Sequence, residues 1–112
     1  MRPLLAILLV VACHPSEKRV DVDRGRQLIA QYGCNVCHDI PGIAGPHGSI
    51  GPTLQGIASR PMISNGVVQN TPANLAQFIQ RPASLNPSTS MPGLDIPAAD
   101  AKEIASYLGT LR

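Results

Sequence analysis

The stretch Cys34-Asn35-Val36-Cys37-His38 governs the reading of everything around it. Two thiols three residues apart, with an imidazole directly behind them, form the covalent haem attachment pattern. In it each thiol adds to one haem vinyl group and the histidine ligates iron. A Cys-x-x-Cys pair has two other uses. A disulfide reductase sets it in a strand-helix context, and a zinc site needs two further ligands nearby. The flanking residues supply neither, so Cys34, Cys37 and His38 predict one covalently bound haem c.

At 112 residues the chain has room for one core and none for a second domain. Tyr32, Phe78 and Tyr107 are its only aromatic rings, and there is no tryptophan. Such a chain buries little large apolar surface of its own. An apolar macrocycle supplies the missing core, and the apoprotein is expected to be largely unfolded. Ten glycines and eleven prolines fall mostly between the helical patterns, which predicts short helices joined by constrained loops. No run alternates apolar and polar residues for long enough to read as a strand. The expected class is all-α, with three to four short helices around the haem.

Toward the amino terminus, a helix is expected from about Asp21 or Asp23 to Tyr32, with either aspartate capping its first amides. Gly25, Leu28, Ile29 and Tyr32 fall at i, i+3, i+4 and i+7, one stripe of a helix, and Gly33 ends it. Before it, His14 to Val20 is polar and aperiodic and reads as a tether, with His14 solvated. The run from Leu4 to Ala12 follows a charged start. It is shorter than the ~20 apolar residues that a spanning helix needs, so it reads as a secretory signal. Val10-Val11-Ala12-Cys13 resembles the bacterial lipoprotein box, in which the cysteine becomes the lipidated first residue. An ordinary signal peptide with Cys13 unmodified is the alternative. The expected organisation is a signal at 1–12, a lipidated cysteine and tether at 13–20, and a haem domain at 21–112.

Toward the carboxyl terminus, a loop rich in glycine and proline leads to Gly51-Pro52-Thr53-Leu54. Thr71-Pro72 offers a cap with proline at the first helical position. Leu75, Phe78 and Ile79 then make a short apolar face before Arg81-Pro82 stops the helix. Pro82 to Ser90 shows no helical pattern and delivers Met91-Pro92-Gly93. A last helix starts near Pro97, with Ala101, Ile104, Ala105, Leu108 and Leu111 along one side. Most methionines fill cores. As a second iron ligand the chain offers Met91, with Met62 and His47 as alternatives, and histidine with methionine is an established haem pairing. His47 is expected to be exposed.

These residues together resemble class I cytochrome c over about Asp21 to Arg112, and most closely small bacterial monohaem cytochromes c. That group includes the c domains fused to subunit II of some haem-copper oxidases. The resemblance implies that the Pro52 carbonyl accepts the second nitrogen of the axial His38, a partner that orients a metal-bound imidazole and makes it more basic. It implies that Arg60 pairs with a haem propionate, for which a planar guanidinium is suited, and that Thr89 bonds a propionate. It makes Met91 the sixth ligand. Tyr107-Leu108 matches the aromatic-Leu pair by which the last helix crosses the first near Gly25. The chain departs from the pattern in lacking tryptophan, in placing Phe78 where several members have tyrosine, and in lacking a lysine cluster.

What the resemblance implies for function is electron transfer and not enzymatic catalysis, because iron held by His38 and Met91 has no free site for substrate. A haem peroxidase, or a gas or redox sensor with a displaceable sixth ligand, is the alternative. The expected partners are a redox donor and acceptor, such as a respiratory complex, an oxidase or a periplasmic dehydrogenase. The protein is expected to act as a monomer on the periplasmic side, held to the membrane by a lipid on Cys13 or else soluble there. From the formal charge of +2, loss of Arg2 with the signal and addition of two propionates leave about −1. That is too little for strong electrostatic steering or for nucleic acid binding. Confinement by the lipid would raise the effective concentration at a membrane partner instead.

Overall fold

In the computed structural model, which describes residues 3–4 and 21–112, the domain opens on Asp21. The Asp21 carboxylate accepts the amide protons of Asp23 at 3.0 Å and Arg24 at 3.2 Å. Those donors would otherwise be unsatisfied at a helix start. Helix α1 follows as Val22–Tyr32 and ends on Gly33, at φ 73°, a left-handed closure that glycine adopts without strain. A single turn, α2 (Cys34–Cys37), begins at once. The cysteine motif is therefore mounted directly on the end of α1. The signal and tether expected at 1–20, with Cys13 and His14, lie outside the described residues apart from Pro3 and Leu4.

Downstream, Thr71 Oγ1 accepts the Asn74 amide at 3.1 Å and caps α3 (Pro72–Gln80), which stops at Arg81 before Pro82. Helix α5 runs Ala98–Leu108. Helices α1 and α3 both pack on α5, and Leu28, Ile29, Leu75, Ile79, Ile104 and Leu108 belong to one buried cluster. The α1/α5 crossing is close at Gly25, where an added methyl would overlap the Glu103 carbonyl and lie 3.1 Å from Tyr107 Cβ. Polar contacts edge the crossing. Tyr32 donates its hydroxyl proton to Asp100 Oδ2 at 2.7 Å. Arg24 Nε stands 2.9 Å from Glu103 Oε2, near enough for an ion pair but without the alignment of a hydrogen bond. Arg24 is half exposed, so this pair contributes little, about 0–1 kcal/mol. Tyr107 donates to the Pro41 carbonyl at 2.6 Å and holds the loop after the cysteine motif against α5.

Three features depart from the sequence expectations. A two-residue antiparallel ladder is present, β1 (Met62–Ile63) with β2 (Val68–Gln69), in which Met62 faces Gln69 and Ile63 faces Val68. Pairing this short leaves no alternation to read. It depends on a tight reversal in which Ser64, Asn65 and Gly66 have φ of 52°, 56° and 79°. A one-turn helix, α4 (Pro82–Leu85), occupies part of the stretch expected to be irregular. It is too short to show a period, and Ser84 Oγ steadies it by donating to the Arg81 carbonyl at 2.7 Å. Leu111 is not on the last helix, which ends three residues earlier. It still packs against the core, and its carbonyl accepts the Ala58 amide at 2.9 Å.

Candidate haem site

The motif turn is tied down by its own backbone. The His38 amide donates to the Cys34 carbonyl at 3.0 Å and the Gly51 amide to the Cys37 carbonyl at 2.7 Å. Asn35, buried between the two cysteines, donates its side-chain amide to the Pro46 carbonyl at 3.1 Å. Together these bonds wrap residues 46–51 around the motif. His38 Nδ1–H donates to the Pro52 carbonyl at 2.7 Å. A carbonyl only accepts, so the bond places the ring proton on Nδ1 and leaves the Nε2 lone pair for a metal.

His38, Cys34 and Cys37 line a cavity of about 660 Å³ in the middle of the core. Its apolar wall includes Ile29 from α1, Leu75 and Phe78 from α3, and Ile104 and Leu108 from α5. Polar side chains enter from Arg60, Ser64, Asn86 and Thr89. These residues fit a haem: an apolar space, two thiols and an imidazole with a free lone pair on its wall, and cationic and hydroxyl donors suited to propionates. Burial pushes the Cys34 thiol above its ordinary value, the neighbouring Cys37 pushes the same way, and a backbone hydrogen bond opposes both more weakly than burial. A reductase cysteine needs the opposite shift. Among the described residues no group of three or more His, Cys, Asp or Glu side chains is placed to hold a metal ion, so the zinc alternative finds no ligand set there.

The remaining sequence candidates separate cleanly. Met91 lines the cavity together with Thr89, whose Oγ1 accepts the Met91 amide at 3.2 Å. Met62 is 38% exposed on β1 and is not among the lining residues. Nor is His47, which is exposed and bonds Asp39 Oδ1 through Nδ1 at 2.9 Å. Arg60 lines the cavity while its Nη2 donates to the Thr53 and Gln55 carbonyls, both at 2.8 Å. That leaves the other guanidinium donors for a further acceptor.

Sequence reasoning passed over several residues that shape the site. Asp39 gathers the loop after the motif: its carboxylate accepts Gln55 Nε2 at 2.9 Å and Thr53 Oγ1 at 3.1 Å, and its carbonyl the Leu54 amide at 2.8 Å. Asn70 donates to the carbonyls of Ile57 and Arg60 at 2.9 and 2.8 Å and so sets the backbone that carries Arg60. Asn86, in an Asn-Pro pair, carried a turn signal, but its contact with Ser64, 22 residues away, had none.

The family model described as Cytochrome c matches residues 22–112, and the chain belongs to the cytochrome c family. Its cofactor is one covalent haem c attached at Cys34 and Cys37, and the domain serves haem-based electron transfer with redox partners. Members of the family are typically electron carriers and not enzymes. A comparison with curated proteins finds no match. Among the described residues no helix is long and apolar enough to cross a membrane.

Proposed function

We propose that this chain is a His/Met-ligated electron carrier that shuttles electrons between respiratory-chain components on the outward face of a bacterial membrane. The observation that carries the reading is that His38, Met91, Cys34 and Cys37 line one cavity, whereas Met62 and His47 do not. A bound haem would be held by His38, oriented by Pro52, through Nε2 and by Met91 through its thioether sulfur. The bound haem supplies one-electron exchange between ferrous and ferric iron. Met91 on iron would leave no site for substrate, and its thioether would favour the ferrous state. Arg60, a cation already steadied on two carbonyls, and Thr89 would receive the propionates.

Purified ferric holoprotein is expected to show a sulfur-to-iron charge-transfer band that Met91→Ala abolishes and Met62→Ala leaves in place. The Met91 variant should bind carbon monoxide when reduced and have a lower potential. Loss of the band in Met62→Ala instead would move the ligand to Met62, and rapid carbon monoxide binding by the wild-type ferrous form would favour a sensor or peroxidase. Membrane attachment is part of the same reading and rests on the Val10-Val11-Ala12-Cys13 box. Each acyl methylene adds about 0.8 kcal/mol of membrane affinity, and two or more chains anchor stably. Mass spectrometry of the mature amino terminus decides it: a diacylated or triacylated Cys13 supports the anchor, and an unmodified end downstream of Cys13 means a freely diffusing periplasmic carrier.

A further inference from the structure

Asn86 is an amide side chain only 8% exposed, and all of its polar atoms are engaged. Nδ2 donates to Ser64 Oγ at 2.8 Å, and Oδ1 accepts the Ser88 amide at 3.1 Å. The second bond fixes the amide orientation, since a flipped group would set NH2 against the Ser88 N–H. The Asn86 carbonyl accepts the Thr89 amide at 3.0 Å, and Thr89 Oγ1 in turn accepts the Met91 amide at 3.2 Å. A continuous relay thus runs from the β1–β2 turn through Asn86 and Thr89 to Met91.

Residues 87–95 contain no helix or strand, so the Met91 loop owes its position to few contacts. Among the described residues, the Asn86–Ser64 bond is the only hydrogen bond that joins residues 86–95 to anything beyond α4 and the loop itself. Its other end is firm. Ser64 lies in the run of left-handed residues that turns the hairpin, next to the buried pair Ile63 and Val68. Ser64 and Asn86 both line the cavity, so their bond joins the hairpin lip to the methionine lip.

We infer that Asn86, through Ser64, is the positioning residue that holds the Met91 loop closed over the cavity and thereby keeps the Met91 sulfur on iron against competing ligands. The inference rests on Met91 being the sixth ligand. Removing the amide frees the loop to swing out without disturbing His38 or the cysteines, which are held by separate bonds to Pro52 and Gly51. Breaking the link therefore acts on ligand exchange ahead of global folding.

The test follows imidazole replacing the sulfur in ferric holoprotein, read as the rate at which the charge-transfer band disappears. Asn86→Ala and Ser64→Ala are expected to exchange about tenfold faster than wild type, the factor that about 1.4 kcal/mol in loop opening gives. Asn86→Asp should restore the slow rate, because its carboxylate still accepts the Ser88 amide and the Ser64 hydroxyl can turn to donate. Wild-type exchange rates in both alanine variants, even with a lowered denaturation midpoint, would reduce the bond to ordinary structure and overturn the inference. If Asn86→Ala does not fold, Ser64→Ala decides alone. Met91→Ala separates the two readings: a band that survives it overturns the ligand assignment and this inference with it, whereas loss of the band beside unchanged exchange in Ser64→Ala overturns the clamp only.

Discussion

His38 Nδ1 and the Pro52 carbonyl oxygen lie 2.7 Å apart, and the residue directly before Pro52, Gly51, packs its backbone against the same ring with no space for a side chain. A methyl on Gly51 would stand 2.5 Å from His38 Cε1 and 2.8 Å from Nδ1. The imidazole is thus held from one side by a hydrogen bond and backed by bare peptide. On the proposed ligation, the hydrogen bond would add basicity to the ring and so favour ferric iron.

Gly51→Ala is expected to tilt the ring away from Pro52, lower the yield of holoprotein and raise the potential of what matures. Haem-to-protein ratio and voltammetry read both effects. The sign is opposite to that expected for Met91→Ala, so the two proposed ligands are distinguishable by direction alone. An unchanged yield and potential would mean that the ring has slack the geometry does not show.

Cys34→Ser and Cys37→Ser should each impair haem attachment and reduce the amount of protein recovered, because the thiols tether a cofactor that fills the centre of the core. Haem staining after denaturing electrophoresis is the measurement. Wild-type covalent haem in the double variant would exclude the attachment.

Gly25→Ala sets helix propensity against packing. Propensity alone predicts a gain of about 0.5–1 kcal/mol. The collision with the Glu103 carbonyl forces α1 away from α5, and overpacking of this kind costs about 1–3 kcal/mol. A net loss in guanidinium unfolding of the ferric holoprotein is expected, and a gain would show that the crossing is looser than described.

Tyr32 predicts an alkaline limit. Its hydrogen bond to Asp100 is the largest influence on the phenol, with burial and the Asp100 charge adding to it and Arg24 opposing, and the net effect raises its pKa above 10.0. A group whose folded pKa is raised contributes stability in full below its unfolded value, and that contribution disappears as pH rises through the folded one. Wild-type stability should therefore decline relative to Tyr32→Phe as pH climbs past 10.0. Chemical denaturation across that range checks it, and parallel curves for the two proteins would remove Tyr32 from the account.

Much of this protein was legible as sequence because the responsible interactions are local. The Asp21 and Thr71 caps, the Gly33 stop and the Pro82 break act within a turn or two of the residue that causes them. The stripes of α1, α3 and α5 repeat within a helix. The cysteine motif completes its chemistry inside five residues. For these the chain carries its own instructions.

The resemblance already favoured Met91 over Met62 and His47, and the tertiary structure adds that of the three only Met91 lines the cavity. All three have side chains able to ligate iron, and which one meets the cavity depends on how the hairpin and the 86–95 loop close around it. The Asn86–Ser64 bond spans 22 residues and the Tyr107–Pro41 bond spans 66. No periodicity or dipeptide preference encodes a partner at that distance. The short β1–β2 ladder and the placement of Leu111 beyond its helix belong to the same class. The ladder pairs only two residues on each strand, and Leu111 is held by the Ala58 amide far away in sequence, so none of these residues announces the outcome alone.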